Sequence, residues 1–230
     1  MSIKYTIDKY ADPNGIKRWD VINYLIKQNN YVNYLEIGVN DAMCIRKINI
    51  EHKDGVDPYP GSEVGGGIYP EINYPISSDD FFELIKDSDI KYDIIFIDGL
   101  HHCEQVDKDV NNALNHLQPN GTIVMHDCNP PEYEIQLVPR VTGIWNGDVW
   151  KSLVKLRYTN PNIKINTVDI DWGVGIIQFG RQVCYDKTPL QNCDYEYFDQ
   201  HREELLNIIS IEEFYQNYSY DITNISSNNI

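Results

Sequence analysis

The sequence predicts an α/β fold: a doubly wound, mostly parallel seven-stranded sheet with an antiparallel edge strand and helices on both faces. Three observations predict it. Short apolar runs rich in β-branched and aromatic residues, such as Tyr92, Ile94, Ile95, Phe96 and Ile97, read as buried strands. These runs alternate with stretches of helical spacing up to about residue 127, as parallel sheets with crossover helices require. Two late runs, 163–168 and 174–179, are joined around Asp169-Ile-Asp-Trp-Gly173 and read as a closing antiparallel pair.

The elements follow in order. Apolar residues at Ile16, Trp19, Ile22, Leu25 and Ile26 predict a helix over 16–29. The first strand is 31–37 and runs into Gly38-Val-Asn40-Asp-Ala42. A short helix over 42–50 leads to a brief second strand, 53–56, that ends in Asp57. Pro58, Pro60, Pro70 and Gly65-Gly66-Gly67 exclude regular structure over 58–71. The third strand is expected at 72–76, and Ser77 to Asp80 cap a helix beginning at Phe81. After the 92–97 strand, Val106, Val110, Ala113, Leu114 and Leu117 make one apolar helical stripe. Pro119-Asn120-Gly121 turns into a strand at 122–125, a second long loop spans 128–146, and a helix follows over 147–158. Helices are expected at 196–209 and 211–218, then a polar tail. The expected division is a helical lead-in (1–30), one main domain (31–180) and a C-terminal helical extension (181–230).

Composition narrows the function classes. The formal charge is −16 and no Lys/Arg cluster is visible, so nucleic acid and anionic membranes are not expected partners. No run reaches the ~18 apolar residues of a membrane span, and the N-terminus lacks a signal-peptide core. Cysteines 44, 103, 128, 184 and 193 are odd in number and never spaced Cys-x-x-Cys, which favours reduced thiols in the cytoplasm. A homo-oligomer is compatible with this composition.

Acids at the ends of buried strands mark the candidate site, because open α/β sheets place ligands at the carboxyl edge. Gly38 allows close backbone approach, Asn40 tolerates unusual backbone angles, and Ala42 is small. Asp57 lies about 20 residues after Gly38, where an acid can hold a ribose diol. The 92–97 strand ends in Asp98-Gly-Leu-His101, and the next strand ends in His126-Asp127-Cys128. Asp98 alone would also serve as a helix cap, and His102 reads as a surface residue. The His101-His102-Cys103 and His126-Asp127-Cys128 triplets admit a zinc reading, ranked below Mg²⁺ or Mn²⁺ because paired sulfur spacing is absent. A metal-free site is the other alternative. Trp145 and Trp150 flank a Gly-Asp turn that would suit stacking on a sugar ring, or would simply start a helix with Trp150 in the core.

Tyr-Leu-Glu-Ile-Gly (34–38), Val-Asp-Pro (56–58), Asp-Ile-Ile-Phe-Ile-Asp-Gly-Leu-His (93–101) and Leu-Gln-Pro-Asn-Gly-Thr-Ile-Val-Met-His-Asp (117–127) resemble the successive motifs of class I S-adenosylmethionine-dependent methyltransferases, which have a Rossmann-like fold. The nearest resemblance is to small-molecule and sugar O-methyltransferases with Asp-Gly-x-His after the fourth strand. It implies that Glu36 and Gly38 face the methionine part of the cofactor, with Asn40 departing from the glycine-rich pattern. It also implies that Asp57 holds the ribose and that Ser78 and Asp79 lie near the adenine, with Asp98 at the pocket edge. His101 is the implied general base, beside Asp98. Asp98, His126 and Asp127 are the implied ligands of a divalent cation, Mg²⁺ or another. The expected acceptor is a small molecule, a sugar or nucleotide-linked sugar. Rival readings are an N-methyltransferase and an inactive cofactor-binding or scaffold protein of the same fold.

Overall fold

Strands form where the apolar runs were read, and their order fixes where a ligand can sit. The computed structural model describes residues 4–58 and 69–219, so the Gly65-Gly66-Gly67 segment and the polar tail lie outside the described residues. Parallel strands β1 (Asn33–Ile37), β2 (His52–Val56), β3 (Tyr92–Ile97) and β4 (Leu117–Met125) make one half of a single sheet. The other half is β5 (Ile163–Val168), β6 (Val174–Phe179) and β7 (Ile208–Ile209). The order across the sheet is β2-β1-β3-β4-β6-β5-β7. The chain leaves β1 towards β2, then returns across β1 to start β3. The carboxyl ends of β1 and β3 therefore flank a switch point, where such sheets open a crevice. The antiparallel strand is β6, held between β4 and β5 rather than at the rim.

Among the described residues the sheet has seven strands, but one is not where the sequence pattern predicts it. Residues 72–76 make only an isolated parallel bridge, Tyr74 to Val56, instead of a third strand. Tyr74 alone pairs there, its N–H donating to the Gly55 carbonyl at 3.0 Å and its carbonyl accepting the Asp57 N–H at 3.2 Å. The seventh strand is β7, whose two residues pair in parallel with Thr167 and Val168. The sequence reading had placed them inside a helix.

Helices cover both faces. One face buries Phe81, Phe82 and Ile85 of α4 (Ser78–Ile85) and Val106, Val110 and Ala113 of α5 (Cys103–Asn115). It continues with Trp150 and Leu153 of α6 (Val149–Thr159) and Phe198 of α7 (Tyr195–Leu205). The opposite face buries Val21, Ile22 and Leu25 of α2 (Arg18–Asn29), Ile45 of α3 (Met43–Lys47) and Phe214 of α8 (Ile211–Asn217). A four-residue helix, α1 (Ile7–Tyr10), precedes α2. Helix α4 starts three residues before the expected Phe81, because Ser77 accepts the Asp80 N–H and caps the turn. No helix among the described residues is long and apolar enough to cross a membrane.

Trp150 belongs to this core. It is 1% exposed and stacks on Phe198 with ring centroids 4.2 Å apart, so it cannot receive a sugar ring. Trp150→Ala should cost about 3–5 kcal/mol of stability, the usual range for an aromatic deleted from a packed core. Urea unfolding monitored by circular dichroism measures this as a lower midpoint at unchanged slope.

Candidate active site

The carboxyl ends of β1 to β4 open onto one cavity of about 670 Å³, within the usual range of small-molecule sites. Its lining includes Glu36, Gly38, Asn40, Asp57, Ser78, Asp79, Asp98, His101, His126 and Asp127, but not His102, Cys103 or Cys128 of the zinc reading.

At the floor, Gly38 has φ +88°, and a Cβ there would lie 2.2 Å from the Asp98 carbonyl oxygen. The ends of β1 and β3 touch through this residue, so only glycine fits. Asn40 (φ 49°) and Ala42 (φ 62°) are also left-handed, which winds the β1–α3 turn tightly. The wound turn directs the Asn40 N–H at Asp57, whose carboxylate accepts it at 2.8 Å. Asp57 is thereby fixed at the end of β2.

Glu36 is 1% exposed and accepts a hydrogen bond from the Tyr34 hydroxyl. Burial pushes its carboxyl up to about 8 against the pull of that bond, so it is largely neutral at pH 7. On the far wall, the Gln105 side-chain amide donates to the Ser78 hydroxyl (3.2 Å), to Asp79 (2.9 Å) and to Asp109 (3.0 Å). Gln105 and Asp109 were not anticipated. Burial raises Asp109 to about 6.

Between β3 and β4 lies a knot of charge. His101 Nε2 is 3.5 Å from Asp98, and its Nδ1 is 3.3 Å from Asp127. His126 Nδ1 is 3.3 Å from both Asp98 and Asp127, yet it makes no hydrogen bond of proper geometry although it is buried. Its Nε2 faces Asp171, at 3.5 Å, from the β5–β6 turn. Arg18, at the start of α2, reaches in with Nε 3.5 Å from Asp98 and Nη1 3.1 Å from Asp171.

Burial alone would raise the acids, but His126, His101 and Arg18 outweigh it and hold Asp98 well below the usual carboxylate range. Asp171 is likewise held low by His126 and Arg18 against burial. Burial works to lower both imidazoles. Asp127 and Asp98 reverse this, raising His101 and raising His126 further.

Ligand-capable atoms of Asp98, His101 and Asp127 come within 4.8 Å of one another, and His126 lies directly beside the two acids. Neither Cys103 nor Cys128 joins them. Cys103 opens α5 with its N–H on Asp148, and the fully buried Cys128 points its thiol at the His126 carbonyl. Among the described residues, the ligand-capable atoms that come together are those of Asp98, His101 and Asp127, with no thiol in the group.

Residues 50–128 match a family model described as a methyltransferase domain. Solved structures with the same fold include the S-adenosylhomocysteine-bound methyltransferase of Podospora anserina. It is 16% identical, with TM-score 0.53, 71% of this chain covered and 78% of that one. Another is the O-methyltransferase TomG of Streptomyces achromogenes, involved in tomaymycin synthesis and solved with S-adenosylmethionine. It is 11% identical, with TM-score 0.50, and the covered shares are 70% and 79%. The chain has the fold of class I, S-adenosylmethionine-dependent methyltransferases, and its segment 50–128 is similar to a methyltransferase domain. Among curated proteins, no sequence matches it.

The cavity suits that cofactor on its own terms. It offers an acid at the end of β2 for a ribose, a closely approaching backbone at Gly38, and, among the described residues, a lining rich in carboxylates with Arg18 as its one fixed cation. Such a lining favours a sulfonium-bearing nucleoside over a pyrophosphate. Sequence reasoning missed Arg18 and Asp171, which ionise the site from distant elements. It also missed Asn146, whose side-chain amide donates to Asp127 at 2.7 Å. Only the acidic Asp169-Ile-Asp-Trp-Gly turn gave any signal, through its place beside two strand ends.

Proposed function

We propose that this protein is an S-adenosylmethionine-dependent methyltransferase that transfers a methyl group to a hydroxyl oxygen of a small molecule, with His101 as general base. The observation that carries the reading is the convergence of His101, Asp98 and Asp127 at the same cavity that Gly38 and Asp57 line. Bound S-adenosylmethionine supplies an electrophilic methyl group on a sulfonium. The protein's part is to hold the acceptor oxygen in line with it and to remove the hydroxyl proton. An imidazole flanked by two carboxylates is a stronger base than a free one, because both acids stabilise its protonated form.

Glu36, Gly38, Asn40 and Asp57 are assigned to the cofactor, with Ser78 and Asp79 at its adenine end and Asp98 where cofactor and acceptor meet. A divalent cation fits beside them. Asp98 and Asp127 present hard oxygens, and the buried His126 Nδ1 lies 3.3 Å from both without a hydrogen bond. Those three residues would hold the ion, which would lower the pKa of a bound hydroxyl. His101 then stays free for the proton.

A sugar or nucleotide-linked sugar is the acceptor class we assign, on the motif resemblance and on a rim of carboxylate, amide and imidazole groups that matches a hydroxyl-rich ligand. The test is a methyl-transfer assay over nucleotide sugars, free glycosides, catechols and amines, with product mass and fragmentation as readout. Methyl-ether formation on a glycoside supports the reading. Methylation of amines alone, or cofactor binding without turnover on any acceptor, overturns it.

A further inference from the structure

The two oxygens of Asp127 are put to different uses. In an extended strand His126 and Asp127 would point to opposite faces. Asp127 instead has a left-handed φ of 59°, and both side chains line the cavity. That conformation is strained for a residue with a Cβ, so the surroundings must hold it. Oδ2 faces the charged knot, 3.3 Å from His126 Nδ1 and 3.3 Å from His101 Nδ1. Oδ1 faces away from it and accepts the Asn146 side-chain amide at 2.7 Å.

The end of the second long loop is anchored around that bond. The Asn146 N–H donates to the Ile135 carbonyl at 2.9 Å, and the Gly147 N–H donates to the same oxygen at 3.2 Å. The Asp148 N–H then donates to the His101 carbonyl at 3.1 Å. Asn146 is 1% exposed, and its own Oδ1 is buried without a hydrogen bond. Turning the amide over would set that oxygen against the Asp127 carboxylate, acceptor to acceptor. A buried amide with one end unpaired carries a desolvation cost, and an apolar side chain would fill the same space without it. What the asparagine supplies is the bond to Asp127.

We propose that Asn146 is a positioning residue that fixes Asp127 as a one-oxygen ligand, through Oδ2, and so tunes the site for Mg²⁺ or Mn²⁺ over Ca²⁺. Mg²⁺ demands near-octahedral geometry with short bonds, and Mn²⁺ takes the same oxygen-rich octahedral sites. Ca²⁺ is larger, takes more oxygens, and accepts both from one carboxylate. An amide that holds Oδ1 back denies Ca²⁺ that second oxygen and presents a fixed single oxygen to the smaller ions.

The inference rests on the cation reading of Asp98, His126 and Asp127, and the experiment separates the two claims. The probe is Mn²⁺, titrated into the full chain saturated with S-adenosylhomocysteine and followed by loss of the free-ion electron paramagnetic resonance signal. Mg²⁺ and Ca²⁺ are then measured by competition with Mn²⁺. The wild type should bind Mn²⁺ saturably at one site and prefer Mg²⁺ to Ca²⁺. Asn146→Ala, and Asn146→Leu with a side chain of similar size, should lose about 10–100-fold in Mn²⁺ and Mg²⁺ affinity, as losses of groups that orient metal ligands do. Ca²⁺ affinity should fall by less than about threefold, because a released Asp127 can offer both oxygens. Affinity for S-adenosylhomocysteine in the absence of metal should be unchanged. No saturable Mn²⁺ binding to the wild type overturns the cation reading, and this inference with it. Wild-type binding with unchanged Mn²⁺ affinity in both variants overturns the role of Asn146 alone. So does an equal fall for all three ions, or one accompanied by loss of S-adenosylhomocysteine binding, since either marks a merely structural residue.

Discussion

His101→Ala should lower kcat by about 10²–10⁴-fold, the range for removing a general base, while S-adenosylhomocysteine binds as it does to the wild type. The separation follows from geometry. His101 touches Asp98, Asp127 and the Trp145 segment at the ends of β3 and β4, whereas Gly38 and Asp57 line the cavity from the ends of β1 and β2. The pH dependence carries the same assignment. A base works in its neutral form, and Asp127 and Asp98 raise the pKa of His101 above the ordinary 6.5. Wild-type kcat should therefore rise with pH along a limb centred above that value, and the residual activity of the variant should lack it. Rate and cofactor affinity lost in equal measure would show that His101 holds the pocket together rather than moving a proton.

Gly38→Ala should be the most damaging single-methyl change at the site. The new Cβ would sit 2.2 Å from the Asp98 carbonyl oxygen and 2.5 Å from Gly99 Cα, both of them backbone atoms of the neighbouring strand end. These atoms cannot rotate away, because β1 and β3 are paired up to Ile37 and Ile97. A left-handed φ on a non-glycine residue adds about 1–3 kcal/mol of strain. We expect a stability loss at least that large and a fall of more than about tenfold in S-adenosylhomocysteine affinity, read by denaturant unfolding and calorimetry. Gly143→Ala is the control. A Cβ there meets nothing within 4 Å, and such a surface change should stay within about 0.5 kcal/mol. Wild-type affinity in Gly38→Ala would mean that the β1 turn does not face the cofactor.

The residues legible in the sequence share one physical property: they stand at the ends of buried strands. An apolar run broken by Asp98, or by His126-Asp127, marks the carboxyl edge of the sheet by local pattern alone, and the cavity lies there. The family resemblance added roles to those positions, and the described residues place all of them around one space. What escaped depends on distance. Arg18 reads locally as the exposed start of an amphipathic helix, and only the packing of α2 beside β3 brings its guanidinium to Asp98. Asn146 and Trp145 lie in a loop whose path has no sequence period. Of the two readings of Trp145 and Trp150, the core placement of Trp150 is the one found: α6 starts at Val149 and sends Trp150 against Phe198, while Trp145 lies on His101. The expected strand at 72–76 had suitable residues, yet only Tyr74 pairs with β2.

Calorimetric titration of S-adenosylhomocysteine into the wild-type chain and into Asp57→Asn tests the cofactor assignment most directly. Saturable one-site binding is expected for the wild type. Asp57→Asn should bind about ten- to a hundredfold more weakly, the loss of a charge-assisted hydrogen bond of about 1.5–3 kcal/mol to the ribose. Absence of saturable binding to the wild type, or equal affinity for both proteins, would contradict the placement of the cofactor at the carboxyl ends of β1 and β2.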